Sequence, residues 1–216
     1  MNSGDAMFAL AHLAMARLSE RGVEPLKVVK SLRRFDETCV QLTQGQFADM
    51  DFEKRTKVSV ADYIHMITGK TAVLIALCAE LGALIAGADD EATAHFAAFG
   101  RNLGLAFQVK DDILGIWGDE ELTGKSAASD ILTRKKTLPV LYGLDQSQEL
   151  RQLYAASDNS AKFVTRVIAI LDEIGARRFA REKAIAYSDS ALEHLAAAGP
   201  QGEAAAALRQ LADMLL

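Results

Sequence analysis

The chain has 216 residues, of which 50% are hydrophobic and 25% are charged, and its formal net charge is −5 at pH 7. This composition is that of a globular protein and excludes an intrinsically disordered chain. Lysine and arginine form no stripe with interleaved aromatic residues, which argues against a nucleic-acid partner.

Apolar residues recur at three- and four-residue spacings along almost the whole chain, and proline occurs only at positions 25, 139 and 200. This pattern predicts helices and no sheet. Pro25 suits a first helical turn, and Ser59 with Asp62 resembles a capping box. In chain order, helices are predicted at about 2–20, 25–50, 59–86, 89–117, 137–145, 146–156, 159–175, 176–198 and 203–215. No linker separates them, so we expect one all-α domain over residues 1–216.

The predicted helices 59–86 and 89–117 are apolar around most of their circumference, which is typical of helices at the centre of a bundle. The stretch 71–88 raises the question of a membrane span. Glu80 lies in its middle, where a charge costs about 2.5–3.5 kcal/mol on insertion, and a span needs about 20 apolar residues. We therefore expect a core helix and no transmembrane segment.

The N-terminus shows no basic segment followed by an apolar core and a cleavage site, so no signal peptide is predicted. Cys39 and Cys78 lie far apart in apolar surroundings and form no CxxC motif. We expect buried free thiols in a reducing compartment, and hence a cytoplasmic protein.

Polar residues interrupt helix 89–117 near its end. Gln108, Asp111, Asp112 and Gly115 are spaced i, i+3, i+4 and i+7 and therefore share one face. Adjacent carboxylates on an apolar helix are costly unless a cation or hydrogen bonds compensate them. Mg2+ suits this position because it prefers carboxylate oxygen and bridges to phosphates. A solvated helix end with two ordinary acids is the alternative.

A second cluster of charged residues follows at Asp119, Lys125, Asp130 and Lys135–Pro139. Acids and lysines beside a carboxylate pair suit a diphosphate held between Mg2+ and ammonium groups.

Two earlier segments also place polar groups beside apolar ones. Lys70 and Thr71 lead into the most apolar helix, although Lys70 could equally extend its ammonium group to solvent. Gln46 and Asp49 add an amide and a carboxylate near the end of helix 25–50.

Together, five segments resemble the polyprenyl synthetase family, which makes farnesyl, geranylgeranyl and longer diphosphates. They are GQFAD (45–49), KTAVL (70–74), GRNLGLAFQVKDDILGIWGD (100–119), GK (124–125) and KKTLP (135–139). They occur in the family's order and spacing over residues 4–144. The resemblance implies an isoprenoid-synthase-type helical bundle and a trans-isoprenyl diphosphate synthase.

The resemblance also implies a metal site. Asp111 and Asp112 match the family's second aspartate-rich motif and would bind Mg2+, and Asp119 matches an acid often found in this variant of the motif. The third aspartate that is frequent in the family falls at Gly115, so that ligand is replaced here.

By the same resemblance, Lys70, Lys125 and Lys135 would hold an allylic prenyl diphosphate. Thr71 and Gln108 would face the reacting carbons and stabilise the developing cation through their oxygens. The implied reaction ionises the allylic diphosphate, joins the cation to isopentenyl diphosphate, and ends with loss of a proton.

Residues 2–8 resemble the segment that follows the family's first aspartate-rich motif. We therefore expect an N-terminally truncated bundle, the C-terminal portion of a synthase without that motif. Such a chain alone should be a poor prenyltransferase, because removing one electrostatic element from an active site costs about 10²–10³ in rate. We also expect an open apolar groove and either a homodimer or pairing with a fuller synthase chain.

Three alternatives follow for the whole protein. The chain is part of a complete synthase, or a short non-catalytic homologue that acts as a partner subunit or binds isoprenoid diphosphates, or an active short enzyme whose second carboxylate cluster comes from another chain.

Overall fold

The structure, a computed structural model, describes residues 2–118, 128–156 and 158–215. Asp119 and Lys125, two of the predicted site residues, lie outside these ranges. Within them the chain is helical, and no strand occurs in the described part of the chain. The helices are α1 (Asn2–Ala16), α2 (Pro25–Lys54), α3 (Val60–Ile67), α4 (Val73–Ala86), α5 (Asp90–Trp117), α6 (Ser129–Leu132), α7 (Leu138–Gln146), α8 (Gln148–Ala155), α9 (Ala161–Glu173), α10 (Ala176–Ala198) and α11 (Gly202–Leu215).

The helix starts follow the capping signals in the sequence. Pro25 occupies the first turn of α2. The side chain of Ser59 accepts the Asp62 N–H at 3.1 Å, and the Asp62 carboxylate accepts the Ser59 N–H at 3.0 Å, so the predicted capping box is confirmed. Asp89 caps α5 by accepting the N–H of Ala92 at 2.7 Å.

Three boundaries differ from the predicted ones. The first helix ends at Ala16, and a 3₁₀ turn then leads to Gly22, whose φ of 83° suits glycine. The predicted helix 59–86 is interrupted by a π-turn over Thr68–Ala72. The short α6 was not predicted, since four residues give no readable period.

Helix α5 is the central element of the bundle, as its apolar circumference predicted. It contributes Val109 to a core cluster with α3 and α7, Ile116 to a second cluster with α9, and Leu103 to a third with α10 and α11. All three of these side chains are at most 3% exposed. The last turns of α5 are therefore held by contacts on several sides.

The prediction that helix 59–86 is buried on all sides is wrong. Val60–Ala86 is long and apolar enough to cross a membrane by length and composition, yet only 22% of its most apolar window is buried. Leu74 is 45% exposed, and Cys78 is exposed while Cys39 is partly so, which also corrects the prediction of buried thiols. The reason is geometric: among the described helices α4 packs mainly against α2 and α5, and side chains on its other face are exposed.

Large apolar side chains are exposed on α2, α4 and α5. Phe47 and Met50 on α2 line a shallow surface depression, and Leu74, Phe107 and Leu114 are between 38% and 45% exposed on α4 and α5. These exposed side chains are consistent with the open apolar groove expected from the sequence, which stays a prediction.

Candidate active site

Two glycines bring α2 against the backbone of the π-turn. A Cβ added to Gly45 would lie 2.2 Å from the backbone N of Lys70 and 2.4 Å from the carbonyl carbon of Gly69. On the other side, a Cβ added to Gly69 would lie 3.2 Å from the Cα of Gly45. Glycine at position 45 is therefore what allows the GQFAD segment to touch the KTAVL segment.

This close approach pairs Lys70 with Asp49. The Nζ of Lys70 donates to the Oδ2 of Asp49 at 2.5 Å, and both side chains are partly exposed. Lys70 thus does not extend freely to solvent, which was the alternative left open by the sequence. The π-turn that carries it is a type of distortion often found at functional sites.

Thr71 and Gln108, which are distant in sequence, are joined by a hydrogen bond. The Thr71 Oγ1 donates to the Gln108 Oε1 at 2.8 Å. The Gln108 Nε2 lies 3.3 Å from the Oδ1 of Asp112 and 3.5 Å from the Oδ2 of Asp111. The structure therefore brings the KTAVL segment and the aspartate pair together through one glutamine.

Asp112 is almost completely buried, with 1% exposure. Its Oδ2 accepts hydrogen bonds from the hydroxyl of Tyr63 and from the Leu138 N–H, the latter at 3.1 Å. Burial raises the pKa of Asp112, while Lys135, Tyr63 and Leu138 oppose that rise. Its Oδ2 therefore acts as a hydrogen-bond acceptor for a side chain and for the backbone. The sequence spacing did not distinguish the two aspartates. In the structure Asp112 is buried, whereas Asp111 is only partly buried.

Lys135 faces the acids of the site. Its Nζ lies 3.6 Å from the Oδ1 of Asp112 and 3.7 Å from the Oδ2 of Asp130. Burial alone would lower the pKa of Lys135, but these carboxylates outweigh it and raise the pKa, and Asp49 adds to the effect. Lys135 therefore remains an ammonium group between the aspartates.

The neighbouring Lys136 has a different role. Its Nζ donates to the backbone carbonyls of Phe52 and Arg55 at the C-terminal end of α2. This end of a helix carries unpaired carbonyls and partial negative charge, which a lysine stabilises. Burial, with a contribution from Arg55, lowers the pKa of Lys136.

Asp130 occupies the space beside Gly115, where the family's third aspartate would begin. A Cβ added to Gly115 would lie 2.2 Å from the Oδ2 of Asp130. In the sequence, Asp130 is one of the charged residues of its segment, and no role in the site was predicted for it. Its proximity to Gly115 arises from the chain returning through α6, which local spacing does not reveal.

We expect Gly115→Ala to displace the Asp130 carboxylate and to lower the free energy of unfolding by about 1–2 kcal/mol, the usual cost of overpacking. Urea denaturation monitored by circular dichroism measures the change. In an Asp130→Ala background the same substitution should cost less, because the clashing carboxylate is gone. Equal costs in the two backgrounds would contradict this packing.

The structure brings the predicted site residues together in two groups. Lys70 contacts Asp49. The second group is Thr71, Gln108, Asp111, Asp112 and Lys135. Within the described ranges, no group of three or more histidine, cysteine or acidic side chains is arranged to hold a metal ion. Tyr63 was not predicted as part of the site, since a tyrosine on an apolar helix has no distinctive spacing. The roles of all these residues stay predictions.

Comparison with known proteins identifies the class. The model of the family described as polyprenyl synthetase matches residues 1–171. The chain is 41% identical over 177 residues to the geranylgeranyl diphosphate synthase of Mycobacterium tuberculosis strain H37Rv, an alignment that covers 80% of this chain and 49% of that protein. It is 37% identical over 222 residues to a (2E,6E)-farnesyl diphosphate synthase of Mycobacterium bovis, covering 99% of this chain and 60% of that protein. The chain belongs to the polyprenyl synthetase family.

Solved structures agree with this assignment. A polyprenyl synthetase from Streptomyces coelicolor A3(2) superposes with a TM-score of 0.87 at 32% identity, covering 99% of this chain and 65% of that one. A geranylgeranyl pyrophosphate synthetase from Pyrococcus horikoshii gives 0.87 at 31% identity, covering 98% and 64%. The predicted all-α isoprenoid-synthase fold is confirmed. This chain spans about half to two thirds of the length of these proteins.

Proposed function

We propose that this chain binds an allylic prenyl diphosphate through Mg2+ at Asp111 and Asp112, as part of a trans-isoprenyl diphosphate synthase. In its complete form the enzyme would condense that substrate with isopentenyl diphosphate. The observation that carries the proposal is the hydrogen-bonded connection from Thr71 through Gln108 to both aspartates, with Lys135 beside them. A carboxylate pair, an ammonium group and an amide in contact form a suitable site for a magnesium diphosphate.

The donor set fits Mg2+. This ion is commonly bound by one or two carboxylates together with waters and substrate phosphates, so it does not need an all-protein cage. Asp111 is the more accessible carboxylate, and Asp112 lies next to it with its oxygens already hydrogen-bonded. When bound, Mg2+ would neutralise the charge of the diphosphate as it departs.

Side chains of this chain would stabilise the departing diphosphate and the developing cation. Lys135 and Lys70 are ammonium groups that could stabilise the departing diphosphate by hydrogen bonds, with Lys125 as a further predicted donor. The oxygens of Thr71 and Gln108 would stabilise the positive charge that develops on the allylic carbon. Exposed apolar side chains on α4 and α5 would contact the hydrocarbon tail and exclude water from the reacting carbons.

A second carboxylate cluster is needed for the full reaction in this proposal. The 216 residues contain no DDxxD sequence. We propose that the opposing acids come from a segment outside these 216 residues, either the remainder of a complete synthase chain or a fuller synthase chain paired with this one. The exposed apolar side chains of Phe47 and Met50 on α2 are consistent with such a partner. The cytoplasmic location expected from the sequence also stays a prediction.

Isothermal titration calorimetry with geranyl diphosphate, with and without Mg2+, tests the proposal. Wild type should bind more tightly with Mg2+, and Asp111→Asn should lose this difference, weakening binding in Mg2+ about tenfold. Asp189→Asn, which changes an exposed acid on α10, should bind like wild type. Binding that ignores both Mg2+ and Asp111 would overturn the proposal.

A further inference from the structure

Tyr63 is a buried tyrosine that contacts one of the aspartates of the candidate site. It lies on α3, is 1% exposed, and packs in the core cluster that contains Val109 and Leu138. Its hydroxyl donates to the Oδ2 of Asp112. A buried hydroxyl needs a partner, and here the partner is a carboxylate of the aspartate pair.

Asp112 uses both of its oxygens to contact four residues on α3, on α5 and at the start of α7. Oδ2 accepts from Tyr63 on α3 and from the N–H of Leu138, the first residue of α7. Oδ1 lies 3.3 Å from the Nε2 of Gln108 on α5 and 3.6 Å from the Nζ of Lys135, which precedes α7. The orientation of this one carboxylate therefore sets the positions of the amide and the ammonium group.

A carboxylate held by one side only could rotate about its terminal torsion, which has a broad energy profile. The Leu138 N–H alone fixes one direction of Oδ2. The Tyr63 hydroxyl fixes a second, and its ring is itself fixed by packing in the core cluster. With both donors present, Oδ1 is directed at Gln108 and Lys135.

We propose that Tyr63 is a positioning residue for diphosphate binding, acting through Asp112 on Lys135 and Gln108. The inference rests on the proposed function of the site. In it, both aspartates bind the metal; Asp111 is the more accessible of the two, while the buried Asp112 with Tyr63 also holds the cationic and amide groups in place. Such supporting partners commonly affect affinity by about 10–100-fold.

The experiment compares Tyr63→Phe with wild type in calorimetric titrations of inorganic pyrophosphate in Mg2+. Phenylalanine keeps the ring and its packing and removes only the hydroxyl. We expect binding about tenfold weaker. Tyr142→Phe is the matched control, because Tyr142 is a half-buried tyrosine that stacks on Phe179 at 4.3 Å between centroids, outside the aspartate contacts described above. It should bind like wild type.

A second comparison separates positioning from a general loss of structure. Lys135→Gln should weaken pyrophosphate binding, and adding Tyr63→Phe to it should cause little further loss, because Tyr63 acts through Lys135 and its neighbours. Independent losses that multiply in the double variant would overturn the inference. Equal binding by Tyr63→Phe and wild type would do so as well.

Two further outcomes are distinguishable. If wild type shows no Mg2+-dependent binding of pyrophosphate or of geranyl diphosphate, the proposed function fails, and the inference with it. If Tyr63→Phe does not fold, Asp112→Asn tests the same contacts, since its amide keeps an oxygen for Tyr63 but loses the charge that holds Lys135. It should weaken binding about tenfold; unchanged binding overturns both the inference and the role of Asp112 as a metal ligand, while the loss expected of Asp111→Asn still tests Mg2+ binding separately.

Discussion

Gly45→Ala should lower the free energy of unfolding by about 3 kcal/mol, at the upper end of the cost of overpacking. The added Cβ would lie 2.2 Å from the backbone N of Lys70 and 2.8 Å from its Cα. Backbone atoms cannot move aside as a flexible side chain can, so α2 and the π-turn must separate. Urea denaturation followed by circular dichroism measures the loss.

Gly82→Ala is the matched control. Gly82 lies within α4, is exposed, and a Cβ added there would meet nothing within 4 Å. Alanine in the interior of a helix is favoured over glycine by about 0.5–1 kcal/mol, so this variant should be more stable than wild type. The same chemical change is therefore expected to have opposite signs at the two positions. A Gly45→Ala variant as stable as Gly82→Ala would contradict the described contact.

The Gly45→Ala substitution should also disturb the candidate site. Separation of α2 from the π-turn would lengthen the contact between Asp49 and Lys70, which depends on that approach. Diphosphate binding should therefore weaken in any Gly45→Ala protein that remains folded.

Arg34→Met should lower the free energy of unfolding by about 2 kcal/mol. The Nε and Nη2 of Arg34 donate to the two carboxylate oxygens of Glu80 at 2.8 and 2.9 Å, which joins α2 to the apolar α4. Glu80 is 12% exposed, so removal of its partner leaves a largely buried charge. Breaking a fully buried pair costs about 3–5 kcal/mol, and the partial exposure of Arg34 reduces that figure.

Two variants check the physical cause. Arg33→Met removes the adjacent arginine, which is 69% exposed and lies 3.6 Å from Glu37, and it should change stability by less than about 0.5 kcal/mol. Arg34→Met with Glu80→Met replaces the pair by apolar groups and should recover most of the stability. If the double variant were as unstable as Arg34→Met alone, the cost would not arise from an unpaired Glu80. Thermal or urea melts of the four proteins decide between these outcomes.

The Arg34–Glu80 ion pair also explains how Glu80 is accommodated in an apolar helix. From the sequence, Glu80 was an argument against a membrane span because of its charge. Its partner is 46 residues away on α2 and could not be identified by local spacing. The structure supplies the compensation that the charge requires.

Local signals in the sequence were sufficient for the helices and for several of their ends. The capping box of Ser59 and Asp62 is an example, because a cap is decided within four residues. Resemblance to a family then brought Thr71 and Gln108 together, and the structure joins them by a hydrogen bond. Periodicity alone gives no information about a contact between residues so far apart.

Other features depend on tertiary contacts and were missed. The sequence treated Asp111 and Asp112 alike, but the return of the chain through α6 and α7 buries Asp112 under Lys135 and the Leu138 N–H. The same return places Asp130 against Gly115. The apolar composition of helix 59–86 predicted that the helix is buried on all sides. This prediction was wrong because composition does not show which faces of a helix have neighbours.

The π-turn has a consequence for the chain's tolerance of insertions and deletions. Tyr63 and Lys70 are seven residues apart, a spacing that keeps two side chains on one face of a regular helix. Here Tyr63 contacts Asp112 of α5, whereas Lys70 contacts Asp49 of α2. A turn closed five residues apart holds one residue more than an α-turn, and one residue corresponds to about 100° of rotation. Deleting a single residue from this turn would restore an unbroken helix and would rotate Lys70 and Thr71 away from their partners. The number of residues between α3 and α4 is therefore constrained, whichever residues fill the positions.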